Sequence, residues 1–286
     1  MSDSTPPFVF GTFQLGPSIG EGDMGTVYKA QNTQTQETVA LKILDKVDTS
    51  REGMRGAAVE LIEFAASLTH THLHPISQVL ESPDGLTGIV MPMAAARSVN
   101  RYLVEGKTIP RGAATKVITQ IASVLHFLHE QEVAHGSIKP TNVLLDAQGN
   151  ATLSDLPMTH LRELGLIPKE PSLMQRYYMA PEVVYHASPE PSHDVFSLGV
   201  LAYHLLTGRI PFDDPEPLAR KKVSREGLPP ILIPVLLRAM TSRIRLRYQT
   251  VAAFMQDFQG AANGKIDPET ERLFSLADEP SEHDEP

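Results

Sequence analysis

Hydrophobic periodicity changes once along this chain, near the stretch MPMAAAR, and the change divides it into two differently built halves. Before it, FQLGPSIG, TVYKAQ and ETVALKIL alternate as strands do across residues 11–47, separated by Gly or Asn/Thr/Gln clusters, which predicts an antiparallel meander. Residues 54–68 then set Met54, Ala58, Leu61, Ala65 and Leu68 at helical spacing, followed by the strand candidates ISQVLE and TGIVMPM around the turn SPDG. After Ala94 long helical patterns dominate, such as GAATKVITQIASVLHFLHEQ and DVFSLGVLAYHLLTG, with proline-rich loops at 168–171, 189–191 and 211–217. The predicted class is α+β and bilobal: a small antiparallel sheet with one main helix, then a larger, mostly helical lobe. The join carries no flexible Gly/Ser tract, so the lobes should pack closely around a cleft, the default place for a ligand.

Bulk properties narrow the chemistry. The chain has 286 residues and no cysteine, which removes disulfides and thiolate metal sites. The start, MSDSTPPFVFGTF, lacks the basic and apolar regions of a signal peptide, and no window reaches the roughly 18 uninterrupted apolar residues of a membrane span. A soluble, cytoplasmic chain is expected. Formal charge is −9, of which residues 260–286 contribute −6 through eight carboxylates against Lys265 and Arg272. The remainder is close to neutral with no net basic face, which argues against a nucleic-acid partner. The acidic end reads as a solvated segment.

Two local patterns carry the chemistry. IGEGDMGTV places Gly20, Gly22 and Gly25 between two strand candidates, so the backbone there can approach a bound group closely. Alone the string also fits a tight turn. Its strand-to-strand setting excludes a dinucleotide-binding loop, which needs a helix after it, and favours a flap over phosphates. Downstream, VALK buries Lys42 in an apolar strand, where an ammonium needs an anionic partner; Glu60 and Glu63 on the following helix are the candidates.

The glycine flap, the strand lysine, the helix glutamate and the later KPTNVLL together resemble the eukaryotic-type Ser/Thr protein kinase family, especially its bacterial members. MAPE at Met179 to Glu182 resembles the end of that family's activation segment, and HDVFSLGVLAYHLLTGRIPF its central C-lobe helix. The resemblance runs over residues 11–259 and implies an N-terminal extension at 1–10, an N-lobe at 11–91, a hinge at 92–94, a C-lobe at 95–259 and an acidic tail at 260–286. It further implies ATP with Mg²⁺ in the cleft. Gly20, Gly22 and Gly25 would cover the phosphates, Lys42 would contact them, and Glu60, selected over Glu63 by its distance from HTHLHPI, would hold Lys42. Ile19, Val27 and Ala40 would roof the adenine and Leu144 would floor it. Met91 falls at the gatekeeper position, with the Pro92 carbonyl and the Ala94 amide facing the adenine edge. Asn142 and Asp155 match the Mg²⁺ ligands, and Arg247 matches the arginine that clamps Glu182.

The catalytic loop departs from the family. Where the pattern is H-R-D-L-x-x-x-N, this chain has His135, Gly136, Ser137, Ile138, Lys139, Pro140, Thr141 and Asn142. A neutral Ser137 hydroxyl cannot act as a carboxylate base at pH 7, which puts a contribution of roughly 10²- to 10⁴-fold at risk. Gly136 replaces an arginine that receives activation-segment phosphates, Leu156-Pro157 replaces F-G after Asp155, and Gln175 replaces a threonine that bonds the missing aspartate. Lys139 is kept, at the position that steadies the γ-phosphate. The resemblance therefore implies a pseudokinase: a domain that binds ATP and acts as a scaffold or allosteric signalling partner of an unidentified protein. One alternative is a low-activity Ser/Thr kinase that phosphorylates itself at Ser172, Thr159 or Tyr177. The other is a scaffold that binds no nucleotide, with Pro157 holding Asp155 out of the site.

Overall fold

The computed structural model describes residues 9–22, 25–45, 54–82, 85–93, 97–103, 109–156, 158–166, 171–184, 190–216, 223–264 and 270. Strands β1 (Val9–Phe10), β2 (Phe13–Glu21), β3 (Thr26–Asn32), β4 (Thr38–Ile43), β5 (Gln78–Glu81) and β6 (Thr87–Pro92) form one antiparallel sheet in the order β1-β2-β3-β4-β6-β5. Period-two alternation decides which way each β4 residue faces. Val39, Leu41 and Ile43 pack with Phe10, Phe13, Ala30 and Val90 in one apolar cluster. Ala40 and Lys42 therefore point to the opposite face, and register places Val27 beside Lys42 and Met91 beside Ala40. Helix α1 (Met54–Ser67) covers that sheet, as its apolar spacing predicts.

The second lobe is built around α2 (Arg111–Glu130) and α6 (Pro191–Thr207). On α2, Ala114, Val117, Ile118, Ile121, Ala122, Val124, Leu125 and Leu128 form the buried stripe of an amphipathic helix. Helix α6 is buried almost all round, which requires protein on every side, and α2, α7 (Ile233–Ala239) and α8 (Val251–Ala262) supply it. Gly208, at φ +69°, ends α6 in the left-handed turn that a residue without Cβ adopts freely.

A second small sheet lies between the lobes: β7 (Arg97–Ser98), β8 (Val143–Leu145) and β9 (Ala151–Leu153). A parallel bridge from Leu73 to Leu153 ties the segment after α1 to it. Three short helices follow β9: α3 (Met158–Glu163), α4 (Leu173–Tyr178) and α5 (Pro181–Val184). This is the bilobal α+β architecture that the periodicity predicts. Of the expected hinge, Pro92 ends β6, and Ala94 lies outside the described residues, as does Pro157.

Candidate functional site

One buried carboxylate sets the loop between α2 and β8. Asp194, in the first turn of α6, accepts the backbone N–H groups of His135 (2.7 Å) and Gly136 (2.8 Å) and the His129 ring Nε2–H (2.8 Å). Burial works to raise its pKa, but the His129 hydrogen bond and charge, with His135 and the Gly136 N–H, together outweigh burial, so it stays below the usual carboxylate range. Gly136 turns through φ +68°, where a side chain would be strained. The His135 ring accepts from Ser137 N at 3.2 Å through Nδ1 and donates from Nε2 to the Ser154 carbonyl at 3.1 Å. Those two bonds define a neutral tautomer, consistent with burial holding its pKa below the ordinary value despite the Asp194 charge.

Of the polar residues of AHGSIKPTNVLL, His135, Ser137, Lys139 and Asn142 are consequently buried and Thr141 is exposed. Ser137 is 2% exposed, and Asn142 Nδ2 donates to both its carbonyl (2.8 Å) and its Oγ (3.1 Å). With Nδ2 so used, Oδ1 is the amide oxygen that Asn142 can offer to a cation. Ser154 donates through N (2.9 Å) and Oγ (3.1 Å) to the Asn142 carbonyl, which fixes the end of β9 against the loop.

Asp155 comes next, at φ +67°, an uncommon conformation for a residue with a Cβ. Lys42 Nζ donates to both its carboxylate oxygens at 2.9 Å. Burial works to raise the Asp155 pKa; Lys42 outweighs that, with Lys139 and His135 adding to it, so the group remains a carboxylate. Lys139 is buried at the same side of the cleft. Above them, Gly22 N donates to Gly25 O (2.9 Å), and a Cβ added to Gly22 would lie 3.4 Å from Lys42 Nζ. At Gly25 a Cβ would meet the Ile43 carbonyl at 1.9 Å, so only glycine lets the flap descend onto β4. Gly20 pairs with Val27, and Ile19, 47% exposed, presents apolar surface beside them. Ala40 is buried, Met91 and Leu144 are half-buried, and Pro92 is exposed.

One expected pair is not made. Glu60 is exposed, and the carboxylate on Lys42 is that of Asp155. The cause is the rotation of α1. Its buried face carries Ala58, Ile62 and Ala65, and Glu60 lies about 200° from both Ala58 and Ile62 at 100° per residue. That buried face is filled from below by Leu161 of α3 and by Leu166, both essentially unexposed, which join Leu44, Ala58, Ile62 and Ile89 in one cluster. Glu63 is exposed as well.

Three features were not read from sequence. Gln175, 1% exposed, accepts from Arg162 Nη2 at 3.1 Å and so joins α4 to α3. His74 lines the cavity behind Lys42 with Met91, Asp155 and Leu156, and burial lowers its pKa against the Asp155 charge. Tyr178 on α4 shares a 2.6 Å hydrogen bond with His204 Nδ1 on α6. The expected Glu182–Arg247 clamp does form: Arg247, 1% exposed, reaches Glu182 at 2.6 and 3.3 Å and the Ser192 and Thr241 carbonyls.

Comparison with known proteins gives a consistent answer. Residues 13–249 match the model of the protein kinase domain. The carbon catabolite-derepressing protein kinase of Candida albicans is 32% identical over 225 residues, 77% of this chain and 36% of that protein. The CBL-interacting serine/threonine-protein kinase 7 of Arabidopsis thaliana is 32% identical over 223 residues, 74% of this chain and 51% of that protein. The chain thus spans about a third to a half of these relatives. Among solved structures, the kinase domain of Mycobacterium tuberculosis PknI superposes with a TM-score of 0.72 at 25% identity, covering 90% of this chain and 98% of that one.

Proposed function

We propose, on the premise that the chain belongs to the protein kinase domain family, that its cleft binds ATP with Mg²⁺ and that it signals by conformation rather than by efficient phosphoryl transfer. The observation that carries this is the loop from His135 to Asn142: it holds no carboxylate, and the hydroxyl at its centre, Ser137, is buried in hydrogen bonds to Asn142. The groups suited to a nucleotide surround it. Asp155 and the Asn142 amide oxygen are hard-oxygen ligands, and Lys42 and Lys139 are the cations for phosphate. A bound Mg²⁺ would supply charge neutralisation for the phosphates; to reach it, Asp155 must give up part of its contact with Lys42. The glycine flap can lie close over phosphates because no Cβ stands at Gly20, Gly22 or Gly25. Ile19, Val27, Ala40, Met91 and Leu144 supply apolar surface for the base, with the Pro92 carbonyl and the Ala94 amide as its polar edge.

In this reading a chain of residues 11–259 acts in the cytoplasm on an unidentified protein partner. Among the described residues no helix is long and apolar enough to cross a membrane. The test is thermal melting against ATP with and without Mg²⁺, alongside incorporation of labelled phosphate. The reading expects a Mg²⁺-dependent rise in melting temperature and no incorporation above that of Lys42→Ala. No rise at millimolar nucleotide refutes it, and incorporation that Lys42→Ala abolishes makes the chain an active kinase.

A further inference from the structure

Within the acidic end of the chain, expected to be solvated, Thr270 is 0% exposed. It lies beyond α8 and beyond the residues matched by the protein kinase domain, so the kinase fold itself does not account for its burial. Three side chains of the second lobe enclose its hydroxyl: Arg238 near the end of α7, Tyr248 before α8 and Asp257 within α8. Arg238 Nη1 donates to Thr270 Oγ1 at 2.6 Å. Oγ1 donates in turn to Asp257 Oδ2, which also accepts from the Tyr248 hydroxyl at 2.8 Å. Arg238 is itself fixed, with Nε on the Leu246 carbonyl at 3.2 Å, its guanidinium 4.1 Å over the Tyr248 ring and Nη1 3.6 Å from Asp257. One cation and one carboxylate balance here, and they present one donor and one acceptor to the same atom, which is a socket for a neutral hydroxyl.

A socket matched in this way is also selective. A phosphate on Oγ1 removes the proton that Asp257 accepts and sets about −1.5 to −2 charges against a buried carboxylate. Arg238 cannot turn to offset that charge without leaving the Leu246 carbonyl and the Tyr248 ring. The surrounding sequence, NGKIDPETER, has one large apolar residue, Ile266, so little apolar burial can fasten this stretch against such a change. We infer that Thr270 is a phosphorylation site whose docked and modified forms exclude each other: unmodified, it clasps the C-terminal segment to the second lobe, and phosphorylated, it releases that segment and opens the socket. The donor is ATP on a protein kinase acting in trans. The Oγ1–P bond forms, the bond from Pγ to the β,γ-bridging oxygen breaks, ADP leaves and the hydroxyl proton passes to that kinase's base. Asp267, Glu269 and Glu271 around the acceptor fit an enzyme with a basic peptide groove. Neither step involves the interlobe cleft or its nucleotide.

Trypsin reads the clasp in the full chain. Cleavage after Arg272, close to Thr270, needs the segment extended in the protease, so its rate follows the undocked fraction. Thr270→Val, which keeps the shape and loses both hydrogen bonds, should be cut roughly tenfold to a hundredfold faster than the parent, and Thr270→Ser at the parent rate. Arg238→Ala empties the same socket from the other side and should match Thr270→Val. Full-length chain with phosphothreonine incorporated at position 270 should be cut at least as fast as Thr270→Val. Adding Asp257→Asn, which keeps an oxygen acceptor without the charge, should bring the phosphothreonine chain back towards the parent rate. Trypsin also excises IDPETER, in which Thr270 carries the one hydroxyl, so the mass of this peptide reports the modification. From chain purified out of its native cells, the peptide should be recovered both with and without phosphate. Circular dichroism melting of each chain separates release of the segment from unfolding. A phosphothreonine chain cut no faster than the parent overturns the exclusion. Thr270→Val and Arg238→Ala both cut at the parent rate overturn the clasp, and a peptide recovered only unmodified overturns the modification.

Discussion

Lys42→Met should destabilise the protein more at neutral pH than at acid pH, because it strands a carboxylate. Lys42 is 2% exposed and the Asp155 side chain 16% exposed, with both oxygens 2.9 Å from the ammonium. Removing one partner of such a pair costs ~3–5 kcal/mol, since the remaining charge is left desolvated, and a Met of similar length leaves no large cavity. At about 2–4 °C per kcal/mol for a chain near this size, melting should fall by roughly 6–20 °C at pH 7. The sign with pH follows from Asp155. In the parent its pKa is held below the ordinary value, so its contribution is present above the unfolded-state pKa of about 3.9 and lost as pH falls through the folded one. In Lys42→Met burial, the largest influence, is opposed only by the weaker contributions of Lys139 and His135, so that pKa rises and protonation relieves the penalty as pH falls from 7 towards 5. With no tryptophan in the chain, far-UV circular dichroism in urea is the suitable signal. Lys42→Met/Asp155→Asn should recover most of the loss at pH 7. An equal penalty at pH 7 and pH 5, or no recovery in the double variant, would show that the pair is not what β4 and β9 hold between them.

Gly136→Arg should cost about 1–2 kcal/mol in urea denaturation, because the loop needs φ +68° there, and it should not restore phosphoryl transfer. Arg247→Lys should lose stability by a few kcal/mol despite keeping the charge, since a lysine cannot reach Glu182 and the Ser192 and Thr241 carbonyls in the same plane; melting of the two proteins side by side checks it. His204, whose pKa burial depresses from 6.5 to about 4, makes the folded state bind fewer protons than the unfolded one between those values. Stability should therefore fall as pH drops from about 6.5 to about 4, and urea midpoints of His204→Gln should show a flatter profile over that window.

The lobes, the sheet and the two long helices of the second lobe were legible because each depends on periodicity within one element. β4 is an example: alternation alone puts Lys42 opposite Val39, Leu41 and Ile43, and the structure has it so. The Glu182–Arg247 clamp was legible from its motif. The partner of Lys42 was not. Sequence distance selected Glu60, yet the helical spacing of Ala58 and Ala65 already put Glu60 off the buried face, and the two signals point to different rotations of α1. Which rotation wins depends on α3, a six-residue helix whose contacts to α1 and α4 are long-range and have no periodic signature. For the same reason Gln175 could be noticed as a departure while its bond to Arg162 could not.

The departures in the catalytic loop fit one another through burial. The loop's path is set by Asp194 and by His135, and neither interaction uses the side chain of position 136 or 137. Position 137 could therefore change without loss of the loop, whereas position 136, at φ +68°, suits glycine. A carboxylate at position 137, 2% exposed, would be a second buried anion in this part of the cleft and would have to draw on Lys139, with Lys42 already committed to Asp155. A serine makes no such demand, because Asn142 satisfies its hydroxyl. The hydroxyl at 137 thus adds no charge beside the Lys42–Asp155 pair, and Gln175 is free of charge as well while it accepts from Arg162.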